Sequence, residues 1–154
     1  MNIRNSAKAI ILRNSKLLLT RNKDEEGDFY LFPGGGQEHG ETLTEAVQRE
    51  CVEEVGAEVA VKDLLHIREY IGKNHEHSAF DASIHQIEYY FLCDLITKAE
   101  DFLTPENPDS HQTGIEWISI NELDKLRLYP KAIVPAMKEL LDERRGTIYL
   151  GDVN

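Results

Sequence analysis

Positive charge is scarce in this chain. Its 17 lysines and arginines stand against 28 aspartates and glutamates, a formal net charge of −11. A general nucleic-acid binder needs a basic footprint, so that class is excluded. A small phosphate-bearing ligand stays open if something cationic intervenes locally, and a bound metal ion is the simplest such agent. Long apolar runs are also missing: no stretch approaches the roughly 20 residues of a membrane helix, and the N-terminus lacks a signal-peptide profile. Membrane insertion and export therefore have no support. Cysteine is sparse as well. Cys51 and Cys93 read as small buried residues rather than a disulfide framework, and a cytoplasmic setting is expected. There is no internal repeat and no low-complexity linker.

What is present fits one soluble globular domain over residues 1–154, with 41% hydrophobic and 29% charged residues. The stretch 35–57, GGQEHGETLTEAVQRECVEEVGA, carries the chemistry. It predicts a helix from Thr42, which has capping-box spacing with Glu45, to Gly56, placed for a left-handed cap. At roughly 100° per residue, Leu43, Ala46, Val47 and Cys51 form an apolar stripe, with Gln48, Val52 and Glu45 opposite. Glu50 and Glu54 fall inside the apolar sector and Glu53 at its edge.

Helical neighbours three and four apart lie about 5–6 Å from one another at Cβ. Like charges that close, and partly shielded from water, need compensation. They take up protons, pair with basic groups, or surround a hard divalent cation such as Mg²⁺. A solvated acidic face is the ordinary reading of a Glu-Glu pair, but here the carboxylates share the apolar side. That placement favours a functional site.

Residues Gly35, Glu41, Arg49, Glu50, Glu53, Glu54 and Gly56 also match a known pattern: a glycine, five residues, a glutamate, seven residues, then REUxEExGU, with U a bulky aliphatic. Cys51 and Ala57 fill the two U positions. The stretch resembles the Nudix box. The resemblance implies an α/β protein with the Nudix fold, a mixed sheet in an α/β/α sandwich. It further implies hydrolysis of a diphosphate bond in a nucleoside diphosphate linked to another moiety, with Mg²⁺ or Mn²⁺ as cofactor. Glu50, Glu54 and the carbonyl of Gly34 are then metal ligands, and Glu53 holds a further ion directly or through water. Arg49 braces the carboxylates, although a surface ion pair of little value is its plainer reading. Glu41 contacts Arg49 or assists a metal, and compensation of the helix N-terminus is its alternative. Relatives differ in their general base. The candidates here are Glu53, then the loop carrying Glu106, Asp109 and His111, then Glu88, for which a surface or edge carboxylate is the more ordinary role. A silent Nudix-fold nucleotide-binding module is the competing reading, and a structural domain with a solvent-facing acidic helix is a third.

Strands are expected over 7–13 and 16–21, joined by a hairpin at Asn14-Ser15, then a charged loop over 22–28 and an apolar run over 29–33 leading into Gly34-Gly35-Gly36. Further strands fall within 58–70 (Leu64, Leu65 and Ile67 in the core), 84–95 and 115–118. In the second of these Ile87, Tyr89, Phe91 and Cys93 point one way, and Glu88, Tyr90 and Leu92 the other. Residues 72–81 read as an exposed loop, with His75 and His77 solvated rather than metal-bound. Ser119 and Glu122 have capping-box spacing for a short helix, and a final helix over 131–144 buries Ile133, Val134, Met137, Leu140 and Leu141. That stripe is assigned to the core, with a contribution to a homodimer contact as its alternative; nothing else in the sequence signals a dimer. Tyr30, Phe32, Tyr90 and the 72–81 loop are candidates for enclosing a base, with Phe32 assigned to the core.

Overall fold

The computed structural model describes residues 2–105 and 107–154. Two strands, β1 (Arg4–Arg13) and β2 (Lys16–Asp24), form the hairpin, and Asn14 and Ser15 take the left-handed conformation at φ 51° and 61°. A two-residue turn of that hand matches the twist of the strands it joins. The charged segment after β2 is a second hairpin rather than a loop. It pairs β2 with β3 (Gly27–Leu31), because Gly27, at φ 114°, supplies the turn. The glycine triplet is itself a short strand, β4 (Gly34–Gly36), running against β1.

Helix α1 (Leu43–Val55) follows, then β5 (Val59–Ile71), the single turn α2 (Ser78–Asp81), β6 (His85–Leu95), β7 (Gln112–Ser119), β8 (Leu128–Tyr129), α3 (Val134–Leu141) and β9 (Tyr149–Asp152). The strands join in one curled mixed sheet of order β8-β3-β2-β1-β6-β5-β9, with β4 also paired to β1 and β7 to β2. The long β1 is shared. Its first eight residues run parallel to β6, while its end turns away to pair with β2.

The two faces carry separate cores. Ala7, Ala9 and Ile11 of β1 point towards α1 and pack with Ala46, Val47, Cys51 and Val55, while Ile10 joins Tyr90, Phe32, Val134 and Met137 on the other side. The small Ala7 and Ala9 side chains leave room for the helix, and each large aliphatic buried there contributes about 1.5–3 kcal/mol. Helices on both faces of a mixed sheet are the expected α/β Nudix fold.

Several expectations change. Leu64 is 37% exposed, because register shifts on either side of it turn it out of the core. Ser119 makes no side-chain cap, and the residues after it wind as a 3-10 helix rather than an α-helix. The last helix opens with a 3-10 turn over Lys131–Ile133 and continues only to Leu141. Residues 72–81 hold two short helical turns, with Gly72 buried.

Candidate functional site

Helix α1 starts and stops where its sequence dictates. Thr42 Oγ1 accepts from Glu45 N at 3.2 Å, and the Glu45 carboxylate accepts from Thr42 N at 2.7 Å. Gly56, at φ 75°, turns its N–H back onto the carbonyls of Cys51 and Val52. With the helix fixed at both ends, Glu50 and Glu54 lie on the flank that meets β4. Contact with Gly35 is close: a Cβ there would stand 2.5 Å from Glu50 Oε1. Glycine is required at this position so that the strand can lie against the carboxylate.

Glu54 is 3% exposed, and its protein hydrogen bond is the one that Gly34 N donates to Oε2 at 3.1 Å. Burial pushes its pKa up to about 8, against the opposing pull of the Lys8 charge and the Gly34 N–H. Burial also raises Glu50, and Arg49 opposes that shift. Arg49 is the hub. Its Nε and Nη2 grip the Glu41 carboxylate at 2.7 and 3.0 Å, and Nη1 donates to Glu50 Oε1 at 3.1 Å and Glu53 Oε2 at 3.2 Å. Nη2 also reaches the Gly36 carbonyl at 3.0 Å. The hydrogen bond from Arg49 holds Glu41 below the ordinary carboxylate range. A planar fork gripping one carboxylate and steadying two more is a positioning device, beyond the worth of a surface ion pair.

Lys8 was not singled out from the sequence. It stands between Ala7 and Ala9, and its Nζ donates to the carbonyl of Gly34 at 3.2 Å. Its charge is felt by Glu50, Glu54 and Glu88. The signal was there: strict alternation puts Lys8 on the face opposite its buried alanine neighbours, beside Ser6.

The later candidates separate. Asp109 lies near enough to Glu54 to raise its pKa, and its loop docks on the helix through Asn107 N to Glu53 O at 3.1 Å and Gln112 Nε2 to Glu54 O at 2.8 Å. His111 instead lines a basin with Phe29, Arg127 and Tyr129. Glu106 lies outside the described residues. Glu88 is no surface carboxylate: it is 4% exposed and bound by Arg68 Nε at 2.6 Å, by Gln86 Nε2 at 2.7 Å and by the Tyr90 hydroxyl. Burial alone would raise it, but the Arg68 and Lys8 charges and these donors hold it well below the usual range. So committed, it has little to offer a passing proton.

Tyr30, Phe32 and Tyr90 are core residues, and Phe32 meets Tyr90 edge-on at 5.3 Å. The loop histidines are not freely solvated: His75 Nε2 pairs with Asp152 at 2.5 Å and His77 Nε2 with the Tyr129 hydroxyl at 3.2 Å.

Among the described residues, no three acidic, histidine or cysteine side chains yet gather around a common point. The donor set nevertheless fits a hard divalent ion. Gly34 O, Glu50, Glu53 and Glu54 offer oxygen only, and Glu54 is a buried carboxylate short of partners.

Comparison with known proteins agrees with this architecture. The chain is 34% identical over 97 residues to a protein named "Nudix hydrolase 16, mitochondrial" from Arabidopsis thaliana, covering 62% of this chain and 50% of that relative. It thus spans about half the length of that relative. A Nudix hydrolase from Nitrosomonas europaea superposes with a TM-score of 0.73 at 18% identity, over 94% of this chain and 92% of the other. An ADP-ribose pyrophosphatase from Streptococcus suis gives 0.65 at 20% identity, over 99% and 100%. Both are likenesses of fold. The NUDIX domain family model matches residues 3–142, nearly the whole chain and all of the helix, glycine strand and arginine hub described above; the chain belongs to the NUDIX family.

Proposed function

We propose that residues 1–154 act as one domain, a pyrophosphohydrolase. It hydrolyses a diphosphate bond in a nucleoside diphosphate linked to another moiety, by attack of water on phosphorus, and depends on Mg²⁺ or Mn²⁺. The observation that carries this reading is Glu54, a buried carboxylate whose one hydrogen-bond partner among the described residues is the Gly34 N–H and whose pKa is raised to about 8. A carboxylate so placed is stable only with a proton or a cation.

A diphosphate repels an approaching oxygen nucleophile, so charge neutralisation and water activation are the main tasks. A bound Mg²⁺ or Mn²⁺ supplies both. In our reading Glu50, Glu54 and the Gly34 carbonyl hold the ion, and Glu53 holds a second ion or accepts the water's proton. Arg49, anchored on Glu41, orients Glu50 and Glu53. Gly35 keeps β4 close enough for the carbonyl and carboxylates to converge. Asp109 follows Glu53 as candidate base, because it is the described loop residue whose charge reaches Glu54. Glu88, held by Arg68, is withdrawn from that role.

The substrate is a small nucleotide derivative; the acidic chain does not suit nucleic acid in general. No helix among the described residues is long and apolar enough to cross a membrane. Cys51 and Cys93 are both free and buried, in keeping with a reducing cytoplasmic setting. A panel of ADP-ribose, nucleotide sugars, dinucleoside polyphosphates and nucleoside triphosphates, with Mg²⁺ or Mn²⁺ present, tests the reading. Scoring phosphate, pyrophosphate and nucleoside monophosphate separately identifies the bond cut. Nucleotide binding with no phosphorus-containing product from any compound would replace the enzyme with a silent binding module.

A further inference from the structure

The last carbonyls of a helix have no partners within it. At the end of α1, Gly56 N turns back onto Cys51 O and Val52 O, and the segment between β6 and β7 meets three more. Leu103 N donates to Gly56 O at 3.0 Å, Asn107 N to Glu53 O at 3.1 Å, and Gln112 Nε2 to Glu54 O at 2.8 Å. Two of these carbonyls belong to the residues whose carboxylates serve the site.

Gln112 is the one side chain among these donors. Its Nε2 also lies 3.4 Å from Gly114 O, so turning the amide over would set oxygen against oxygen. Its Oε1 is buried and has no partner among the described residues. A buried amide left half satisfied costs stability, so the fold alone does not explain it. What the position supplies is the donor.

The main chain of Gln112 works on the same loop. Gln112 N donates to Asp109 O at 2.9 Å, and Lys23 N of β2 donates to the neighbouring His111 O at 3.0 Å. Gln112 also pairs with Asn22, at the bulge where β2 and β7 shift register. One residue, pinned to the sheet, thus holds the backbone of Glu54 through its side chain and that of Asp109 through its own backbone.

We propose that Gln112 is a positioning residue: it fixes the last turn of α1, keeping the Glu54 carboxylate against Gly34, and sets Asp109 at a constant distance from it. The proposal rests on the pyrophosphohydrolase reading for the task of Glu54. A carboxylate on a frayed last turn would point in many directions, whereas the ligands of an ion must hold within about 0.5 Å. Groups that stand behind metal ligands govern affinity or activity by about 10–100-fold.

The test is Gln112→Met, similar in length but unable to donate, with Mn²⁺ binding followed by electron paramagnetic resonance well below the melting temperature. The Mn²⁺ dissociation constant should rise about tenfold or more, and a smaller change would overturn the proposal. The metal-free melting temperature should stay within about 4 °C. Affinity and melting temperature collapsing together would mark Gln112 as part of the fold only, and would also overturn it. At saturating Mn²⁺, kcat on a hydrolysed diphosphate should fall with KM little changed. If the variant does not fold, NMR of the unaltered chain decides: the Gln112 side-chain amide signals should shift as Mg²⁺ is added, and their indifference would refute the role. Failure of the unaltered chain to bind Mn²⁺ would defeat the metal-dependent reading; Mn²⁺ binding that ignores Gln112 would defeat only this proposal.

Discussion

Glu54 and Glu88 are equally hidden, at 3% and 4% exposure, yet they titrate in opposite directions. Glu88 sits among a guanidinium, an amide and a hydroxyl, which together outweigh the cost of burial. Among the described residues Glu54 has one backbone N–H, a lysine near enough to feel but not to pair with it, and neighbouring carboxylates that add to its burden. Burial therefore says little about a charge until its partners are counted. A satisfied buried carboxylate is part of the framework, whereas one left short of partners marks a place where something else binds.

The sharpest way to break this comparison is to neutralise each residue. Glu54→Gln should reduce turnover at least about a hundredfold while the melting temperature holds or rises, since a strained carboxylate is removed; full activity would refute its role. Glu88→Gln should leave Arg68 buried without its counter-charge and cost about 3–5 kcal/mol in urea denaturation. A loss under about 1 kcal/mol would show that the pair is not structurally needed.

Opposite pKa shifts also require opposite pH slopes. Without metal, folded Glu54 keeps its proton between its ordinary value of 4.5 and about 8, so it binds more protons than the unfolded chain and its contribution to stability falls as pH rises through that window. Glu88 is depressed when folded, so its contribution is present above 4.5 and is lost as pH falls below it. Denaturation curves of Glu54→Gln and Glu88→Gln against pH should each lose one slope and keep the other. The smallest effect belongs to the cap that aims the helix: Thr42→Ala should cost about 1 kcal/mol, read as a lowered melting temperature with the pH slopes unchanged.

Much of this was legible in the residues. The capping box, the left-handed glycine and the apolar stripe specified α1 within a residue, and the same periodicity placed Glu54 inward and Glu53 at the edge. Alternation in β6 put Phe91 and Cys93 on the α1 side and Tyr90 and Leu92 on the other, as found. Reading failed where partners came from afar. Glu88 looked like a surface carboxylate because Arg68 is twenty positions away, and β9 escaped notice because four residues with a central glycine carry no strand signal without β5 beside them. Leu64 left the core through register shifts that no hydrophobic pattern records.

By itself, then, the sequence determined the helix α1, its carboxylates, its arginine and the glycine run that meets it, because those features lie within about one helix length and follow from local geometry. Only the tertiary structure decided which carboxylates are satisfied, that Lys8 rests on the Gly34 carbonyl, and that Gln112 ties the end of α1 to β7. Charge satisfaction is a property of neighbours in space, and in a nine-stranded sheet with parallel pairings those neighbours come from the far ends of the chain.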